Sequence, residues 1–259
     1  MTERILARMD AEARARAMRT HASALDEFLL ANSAMPAVVL RSRYAEDALY
    51  EAIIRGVSQY VLIGAGLDSF ALRRPAFSDG LTIFEIDHPA TQTMKIQRIK
   101  ELGISLPSSV QFIAADLVQE DLVSAIARST FRLNEKAFFS WLGVTVYLTR
   151  DANLATLRAV ATCGALGSEL VFTYVDQAEF NSDTPRSPHD ENAIAVAQIG
   201  EPWISGFDPD GIVNDLASVG LDLVEDLDGK AMWERYRSAN TTLGKPPDTL
   251  HIALARVAK

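Results

Sequence analysis

The amino-acid sequence predicts an α/β protein with a mostly parallel, doubly wound sheet and an N-terminal helical cap. Short apolar runs alternate with helical segments, the first run leads into a Gly-X-Gly turn, and the second ends in acidic residues. This alternation favours parallel strands that are buried on both faces. The predicted strands cover 60–63, 81–86, 110–114, 137–141 and 169–174. The helices predicted between them cover 69–74, 89–102, 119–128 and 150–163.

The two ends of the chain differ from this central pattern. Apolar residues at helical spacing predict helices over 2–30 and 42–56, and later a helix ending near residue 219 followed by strands at 221–227 and 249–257. Without a repeat or an obvious linker, we expect one domain, 1–259. Its expected parts are a helical cap (1–56), a cofactor-binding core (57–175), a lid or insertion (176–206), and a C-terminal helix with antiparallel strands (207–259).

Composition excludes several classes of function. The chain has 259 residues and a net charge of −9, and an acidic surface repels phosphate backbones, so we expect no nucleic-acid partner. The single cysteine, Cys163, excludes an intramolecular disulfide and a cysteine-based metal cluster. No His, Asp or Glu spacing is typical of a metal site. No apolar run reaches the length of a membrane span, so we expect no membrane partner and a cytoplasmic location.

The turn after the first strand predicts a cofactor site. Gly64, Ala65 and Gly66 follow the apolar run, and glycine lets the backbone approach a ligand where a Cβ would clash. Backbone N–H groups that open the next helix could face an electron-rich group. Asp87 ends the second strand about 20 residues later, where an acid suits ribose hydroxyls. The pattern therefore indicates a cofactor that contains a nucleoside.

The charge of Asp68 distinguishes between two such cofactors. A dinucleotide site prefers a third small residue where this chain has Ser69, and a carboxylate next to it would repel a pyrophosphate. The same carboxylate would attract the ammonium or sulfonium of S-adenosylmethionine, by roughly 4 kcal/mol at about 4 Å and an effective dielectric near 20. The sign of the charge favours S-adenosylmethionine. A nicotinamide cofactor, or a tight turn without a ligand, remains the alternative.

Five segments in order carry a resemblance to a known family. They are 41–47 (RSRYAED), 64–68 (GAGLD), 84–89 (FEIDHP), 115–117 (ADL) and 139–148 (FSWLGVTVYL). Together they resemble the leucine carboxyl methyltransferase superfamily, and especially its bacterial, polyketide O-methyltransferase-like branch. The resemblance implies a Rossmann-like class I fold and S-adenosylmethionine-dependent O-methylation of a carboxylate or hydroxyl of a small molecule. The alternatives are an NAD(P)-dependent oxidoreductase and a non-catalytic S-adenosylmethionine-binding scaffold.

The resemblance also implies roles for single residues. Arg41 matches the arginine that holds the cofactor carboxylate, with Arg43 as the alternative, and residues 64–66 would pass under the methionine portion. Asp87 would accept from the ribose hydroxyls, with Glu85 as a second acid on the same side of the strand. The remaining assignments concern the adenine: Asp116 would bind its exocyclic amine, unless it caps the next helix, and Leu117 would pack on its ring.

The fourth-strand motif departs from the family. Many members carry a glutamate where this chain has Leu142, so we expect backbone carbonyls near 140–142 to replace that contact, or the contact to be absent. Trp141, next to it, is included in the predicted cofactor site. His88 is included as well, although a residue that opens the helix before Pro89 is the alternative interpretation.

The acceptor decides whether a general base is needed. A carboxylate is ionised at neutral pH and needs none, whereas a hydroxyl benefits from one. His189, in the predicted lid, is the candidate base. Tyr147, Tyr174 and Trp203 are the candidate acceptor contacts, with packing in the core as their alternative.

Overall fold

The structure is a computed structural model that describes residues 35–180, 202–237 and 244–258. The predicted helix over 2–30, most of the predicted lid and the candidate base His189 lie outside the described residues. The division of the chain into cap, core, lid and C-terminal part stays a prediction.

A seven-stranded sheet forms the centre of the molecule. Its order is β3-β2-β1-β4-β5-β7-β6, in which the first five strands along the chain are parallel and β7 is antiparallel to both β5 and β6. The predicted α/β class with a mostly parallel sheet is therefore confirmed. The strands are β1 (Gln59–Ile63), β2 (Thr82–Asp87), β3 (Val110–Ala114), β4 (Ala137–Trp141), β5 (Glu169–Val175), β6 (Leu221–Asp228) and β7 (Leu250–Val257).

Helices cover both faces of the sheet, and each face has its own apolar core. The helices are α1 (Met35–Ile54), α2 (Phe70–Arg73), α3 (Pro89–Glu101), α4 (Leu122–Ile126), α5 (Arg150–Cys163), α6 (Ile212–Ser218) and α7 (Gly229–Tyr236). Buried side chains of α4, α5 and α6 share one core, and those of α1, α2 and α7 share the other. Side chains along β4 alternate between the cores, with Phe139 and Trp141 in the first and Phe138 in the second.

Three helices differ from the sequence prediction. Helix α1 already includes Met35, the first described residue, whereas the predicted helix begins at residue 42. Helix α4 begins at Leu122, since Asp121 caps it by accepting from the Ser124 N–H group at 2.8 Å. Helix α7, between β6 and β7, was not predicted.

Backbone hydrogen bonds hold the two segments that flank residues 181–201 together. The Gln177 N–H group donates to the Phe207 carbonyl at 2.8 Å, and the Phe207 N–H group donates to the Val175 carbonyl at 3.0 Å. The Ile204 N–H group donates to the Val146 carbonyl at 2.6 Å, which ties this segment to the turn after β4. Within the described ranges, no helix has the length and apolar character needed to cross a membrane.

Candidate cofactor site

A cavity of about 620 Å³ opens at the carboxyl ends of β1 and β4. In open α/β sheets this edge is where ligands bind. Helix α1, the 64–69 turn and the end of β4 form the walls, which include Arg41, Gly64, Ala65, Gly66, Asp68, Ser140 and Leu142. Six of the predicted cofactor residues therefore lie around one cavity.

The glycine turn is shaped for close approach. Gly64 and Gly66 have φ of +68° and +49°, a region that favours glycine, and a Cβ on Gly64 would lie 2.6 Å from Cγ2 of Val144. The N–H groups of Gly64 and Ala65 donate to the Ile86 carbonyl at 2.9 and 3.1 Å, so they are directed to the protein. These two amides precede the helix and are not available to a ligand. The turn instead brings its backbone to the cavity.

Asp87 fixes this turn to the end of β2. One carboxylate oxygen accepts from the Gly66 N–H group, and the other accepts from the His88 N–H group at 2.7 Å. A carboxylate has about four lone-pair sites, so these two bonds leave acceptor capacity for other donors. Asp87 can therefore hold the turn and accept from hydroxyl groups at the same time.

Arg41 reaches the cavity from α1 and lies over Gly143. A Cβ on Gly143 would lie 2.5 to 2.8 Å from the guanidinium atoms of Arg41, and Gly143 has φ of +71°. Burial lowers the pKa of Arg41, while nearby Tyr147 and Asp68 act in the opposite direction. None of the described residues accepts a hydrogen bond from this guanidinium. The cation is thus held at the cavity wall without an acceptor among the described residues.

Arg43, the alternative to Arg41, has a different environment. Its side chain is exposed and its Nε donates to both carboxylate oxygens of Asp47, at 2.9 and 3.0 Å. The two arginines lie two residues apart on α1 and therefore leave the helix in different directions. Both arginines line the cavity, and the ion pair of Arg43 with Asp47 favours Arg41 as the residue available to an anionic group.

Asp68 and Arg41 place opposite charges on the wall of the same cavity. The Oδ1 atom of Asp68 accepts from the Phe70 N–H group at 2.6 Å, which fixes the carboxylate at the start of α2. Leu142, next to Gly143, contributes an apolar wall. The other charged side chains that line the cavity are in ion pairs, Arg73 with Glu46 and Arg43 with Asp47. Arg41 and Asp68 therefore remain as the charges complementary to a zwitterionic amino-acid group.

Glu85, the alternative to Asp87, is bonded to residues of α3. It is 1% exposed and forms a buried ion pair with Lys95 of α3, while its backbone carbonyl accepts from Nε2 of Gln92 at 3.0 Å. Burial raises the pKa of Glu85, and Lys95 counteracts part of that effect. Glu85 therefore links β2 to α3 instead of lining the cavity.

The residues predicted around the adenine, Asp116 and Leu117, follow the end of β3, and His88 follows the end of β2. The two carboxylate oxygens of Asp116 accept from the Val118 N–H group at 3.0 Å and from Nε2 of Gln119 at 2.9 Å, so Asp116 holds a turn and does not cap α4. His88 caps α3 through Nδ1, which accepts from the Ala90 N–H group at 3.2 Å. Its Nε2 lies 3.9 Å from Oδ2 of Asp116.

Leu117 lies beside a second cavity of about 320 Å³ between this turn and α5. Asp87, His88, Asp116 and Leu117 do not line the larger cavity. The structure thus separates the predicted cofactor residues into two neighbouring groups along the edge of the sheet.

Two of the predicted contacts, Trp141 and Tyr174, have side chains that are buried in the core. Trp141 is fully buried and packs on Phe172, with ring centroids 6.5 Å apart, since alternation along β4 turns Ser140 and not Trp141 toward the cavity. Tyr174 is 1% exposed and its hydroxyl donates to Asp226 at 2.6 Å. Its ring stacks on His251 at 4.8 Å.

Tyr147 and Trp203, the other two predicted acceptor contacts, are partly buried against the core that includes α1. Tyr147 is close enough to Arg41 to influence the pKa of the guanidinium. Both side chains are partly exposed and neither lines the cavity, so their predicted role stays a prediction. In the part of the chain that the structure describes, no three His, Cys, Asp or Glu side chains are grouped as metal ligands would be.

Sequence reasoning missed Gly143 and Thr173. The Gly143 N–H group donates to Oγ1 of Thr173 at 2.7 Å, and Thr173 in turn accepts from Oγ1 of Thr145 through its carbonyl at 2.6 Å. These bonds fix the left-handed turn on which Arg41 rests. The sequence signal for Gly143 was a glycine two residues after the end of β4. No sequence signal indicated its partner Thr173 on β5.

Comparison with known proteins agrees with this geometry. The sequence model of the leucine carboxyl methyltransferase family matches residues 3–161. The chain is 34% identical over 192 residues to YktD of Bacillus subtilis (strain 168), which is named as an S-adenosyl-L-methionine-dependent methyltransferase. That match covers 74% of this chain and 63% of YktD, so the chain spans less than two thirds of the length of this relative.

Solved structures with low sequence identity share the fold. A DUF574 family protein from Streptomyces avermitilis MA-4680 has a TM-score of 0.62 at 16% identity, covering 84% of this chain and 82% of its own. The CcbJ methyltransferase from Streptomyces caelestis has a TM-score of 0.53 at 15% identity, covering 83% and 89%. These likenesses concern the fold alone. Because the family model matches more than half of the sequence, the chain belongs to the leucine carboxyl methyltransferase family, a family of S-adenosylmethionine-dependent methyltransferases.

Proposed function

We propose that this protein is an S-adenosylmethionine-dependent O-methyltransferase that acts on a carboxylate or hydroxyl group of a small molecule. The observation that carries the proposal is the pairing of Arg41 and Asp68 on the walls of one cavity beside the glycine turn. The amino-acid end of S-adenosylmethionine carries a carboxylate and an ammonium group, which these two side chains complement. Family membership supports the same cofactor.

The residues present fit this cofactor. Arg41 would hold its carboxylate through a charge-assisted, bidentate hydrogen bond, since no described residue competes for the guanidinium. The Cβ-free backbone at Gly64 and Gly66 would lie under the methionine portion, and Asp87 would accept from the ribose hydroxyls. Asp116 and Leu117 would contact the adenine.

Asp68 also offers a replacement for the glutamate that this chain lacks at Leu142. One of its oxygens is bonded to the Phe70 N–H group, and the other is available to an ammonium group. Leu142 would then exclude water from that side of the cavity. The contact expected from backbone carbonyls near 140–142 is therefore not required.

The bound cofactor would supply a sulfonium methyl group as the group to be transferred, with a neutral thioether as leaving group. The protein contributes alignment, which in well-oriented reactions reaches effective molarities of about 10⁵ M or more. Tyr147 and Trp203 are the proposed apolar contacts of the acceptor. A carboxylate acceptor needs no base, and a hydroxyl acceptor would use His189 as the proposed base.

Isothermal titration with S-adenosylhomocysteine, S-adenosylmethionine and NADPH tests the cofactor. We expect the first two to bind and NADPH not to bind, and we expect Arg41→Met to weaken binding more than Arg43→Met. Binding of NADPH alone would support the oxidoreductase alternative and overturn the proposal.

Conversion of S-adenosylmethionine to S-adenosylhomocysteine, followed with a panel of small carboxylic acids and phenols, tests the reaction. Acceptor-dependent turnover with either class supports O-methylation. Binding without turnover on any member of the panel would instead favour the scaffold alternative.

A further inference from the structure

A three-residue cluster connects α1 to the C-terminal part of the fold. The Tyr44 hydroxyl donates to Oε2 of Glu225 at 2.6 Å. Arg235 donates to both oxygens of the same carboxylate, at 2.8 and 2.6 Å, and its guanidinium carbon lies 5.6 Å from the centre of the Tyr44 ring. Each member of this cluster therefore contacts the other two, so we call it the Tyr44 brace.

The Tyr44 brace spans three separate elements. Tyr44 is on α1, Glu225 is on the edge strand β6, and Arg235 is in the last turn of α7. Tyr44 is 3% exposed, so its hydroxyl needs a partner inside the protein, and Glu225 supplies it. Arg235 lowers the pKa of Glu225, which keeps that carboxylate ionised as the acceptor.

Arg41 lies three residues before Tyr44 on the same helix. Residues three apart share one side of a helix, so a shift of α1 that moves Tyr44 moves Arg41 with it. The guanidinium of Arg41 has little room for such a shift, because it rests against Gly143 at distances that exclude even a methyl group there. The location of α1 thus decides where the cation enters the cavity.

We propose that Tyr44, Glu225 and Arg235 are positioning residues that set the place of Arg41 in the cofactor site. Through them, β6 and α7 become part of the machinery that binds the amino-acid end of the cofactor. Glu225 and Arg235 lie outside residues 3–161, the range that the family model matches, so that match alone assigns them no role. The proposal rests on the proposed function of Arg41 as the carboxylate-binding residue.

Two ligands distinguish a role in positioning Arg41 from a general effect on the stability of the fold. S-adenosylhomocysteine carries the amino-acid group that Arg41 would bind, whereas 5′-methylthioadenosine lacks that group and keeps the nucleoside. Titration of both ligands into Tyr44→Phe and Glu225→Gln measures how much of any loss of affinity comes from contacts with the amino-acid end. Glu135→Gln is the matched control, because Glu135 also accepts two hydrogen bonds from one arginine, Arg132, at 2.5 and 2.7 Å, and lies outside the brace.

We expect Tyr44→Phe and Glu225→Gln to raise the Kd of S-adenosylhomocysteine about 2- to 10-fold, the range for one lost hydrogen bond, and to leave the Kd of 5′-methylthioadenosine unchanged. Glu135→Gln should change neither value. In an Arg41→Met background, the brace variants should cause no further change. Glu225 is partly exposed, so its variant keeps the experiment decisive if Tyr44→Phe does not fold.

Three outcomes would overturn the proposal, in different ways. If Arg41→Met weakens both ligands equally, the assignment of Arg41 fails, and the positioning role fails with it. If Arg41→Met selectively weakens S-adenosylhomocysteine while the brace variants do not, the Arg41 assignment stands and the brace is merely structural. Equal weakening of both ligands by the brace variants would also reduce the brace to a structural role.

Discussion

Lys95 and Arg41 are two cations withdrawn from bulk solvent, and they differ in what neutralises them. Lys95 is 4% exposed and forms an ion pair with Glu85, which is itself buried. Arg41 lines a cavity, rests on Gly143 and donates to no acceptor within the described ranges. A buried ion pair is complete within the protein, whereas a cation without a partner at a cavity wall is complementary to a ligand that brings the opposite charge.

This difference predicts that loss of Lys95 mainly lowers the stability of the fold and that loss of Arg41 mainly weakens ligand binding. Loss of Lys95 leaves a buried carboxylate without a counterion, which is costly to the folded state. Loss of Arg41 breaks no hydrogen bond to another described residue, so its cost should fall mainly on ligand binding.

The largest effect is expected from Lys95→Met. We expect the free energy of unfolding at pH 7.5 to fall by about 3–5 kcal/mol, the cost of removing one partner from a buried ion pair. Urea denaturation measures this loss. Lys100→Met is the control on the same helix, because Lys100 is exposed. A loss for Lys95→Met no larger than that for Lys100→Met would remove the contrast between the two cations.

The loss of stability caused by Lys95→Met should also depend on pH. Burial already raises the pKa of Glu85, and loss of Lys95 removes the group that counteracts this effect. A carboxyl group with a raised native pKa stabilises the fold below its unfolded pKa and loses that contribution as pH rises through the native pKa. The penalty of Lys95→Met should therefore be smaller at pH 5 than at pH 8 in urea denaturation. A penalty independent of pH would show that Glu85 is not its cause.

Arg41→Met should weaken ligand binding and leave the stability of the fold nearly unchanged. We expect an unchanged or slightly increased free energy of unfolding without ligand, because a partly desolvated charge is removed. We expect the Kd of S-adenosylhomocysteine to rise about 10- to 100-fold, since a charged hydrogen bond contributes about 1.5–3 kcal/mol. Thermal unfolding with and without ligand measures both quantities. A large loss of stability without ligand would place Arg41 in the same class as Lys95.

Gly143→Ala tests the surface on which Arg41 rests. The φ of +71° strains any side chain by about 1–2 kcal/mol, and the new Cβ would lie 2.5 Å from Nη1 of Arg41. We expect lower stability and weaker binding of S-adenosylhomocysteine, measured by urea denaturation and calorimetry. Combining it with Arg41→Met should relieve the clash but not the backbone strain. Additive losses in the double variant would contradict the contact.

The smallest effect is expected from Arg43→Met. Its ion pair with Asp47 is exposed and joins residues four apart on a helix, a geometry that contributes about 0.3–0.5 kcal/mol. The Kd of S-adenosylhomocysteine should stay within twofold of the unaltered protein by calorimetry. A rise as large as that of Arg41→Met would show that Arg43, which also lines the cavity, binds the ligand as strongly as Arg41 does.

Local patterns predicted the central part of the fold closely. The strand at 110–114 and the helix at 150–163 match β3 and α5, because apolar runs and helical spacing act over a few residues. Helix α7 was missed because its polar surface and short length carry a weak signal, and packing against α1 stabilises it. The alternation of side chains along β4 did not predict that Ser140 faces the cavity and that Trp141 is buried, because a period of two does not say which set of side chains faces which side.

The sequence by itself determined the parallel sheet, the glycine turn and the acids at the strand ends, since each depends on residues close together in the chain. It also determined the family through the order of five short segments. The tertiary structure alone decided which charged residues are paired: Glu85 with Lys95, Tyr44 with Glu225 and Arg235, and Arg41 with no described acceptor. Such pairings depend on how helices and strands pack across long separations in sequence, and local residue patterns do not encode that packing.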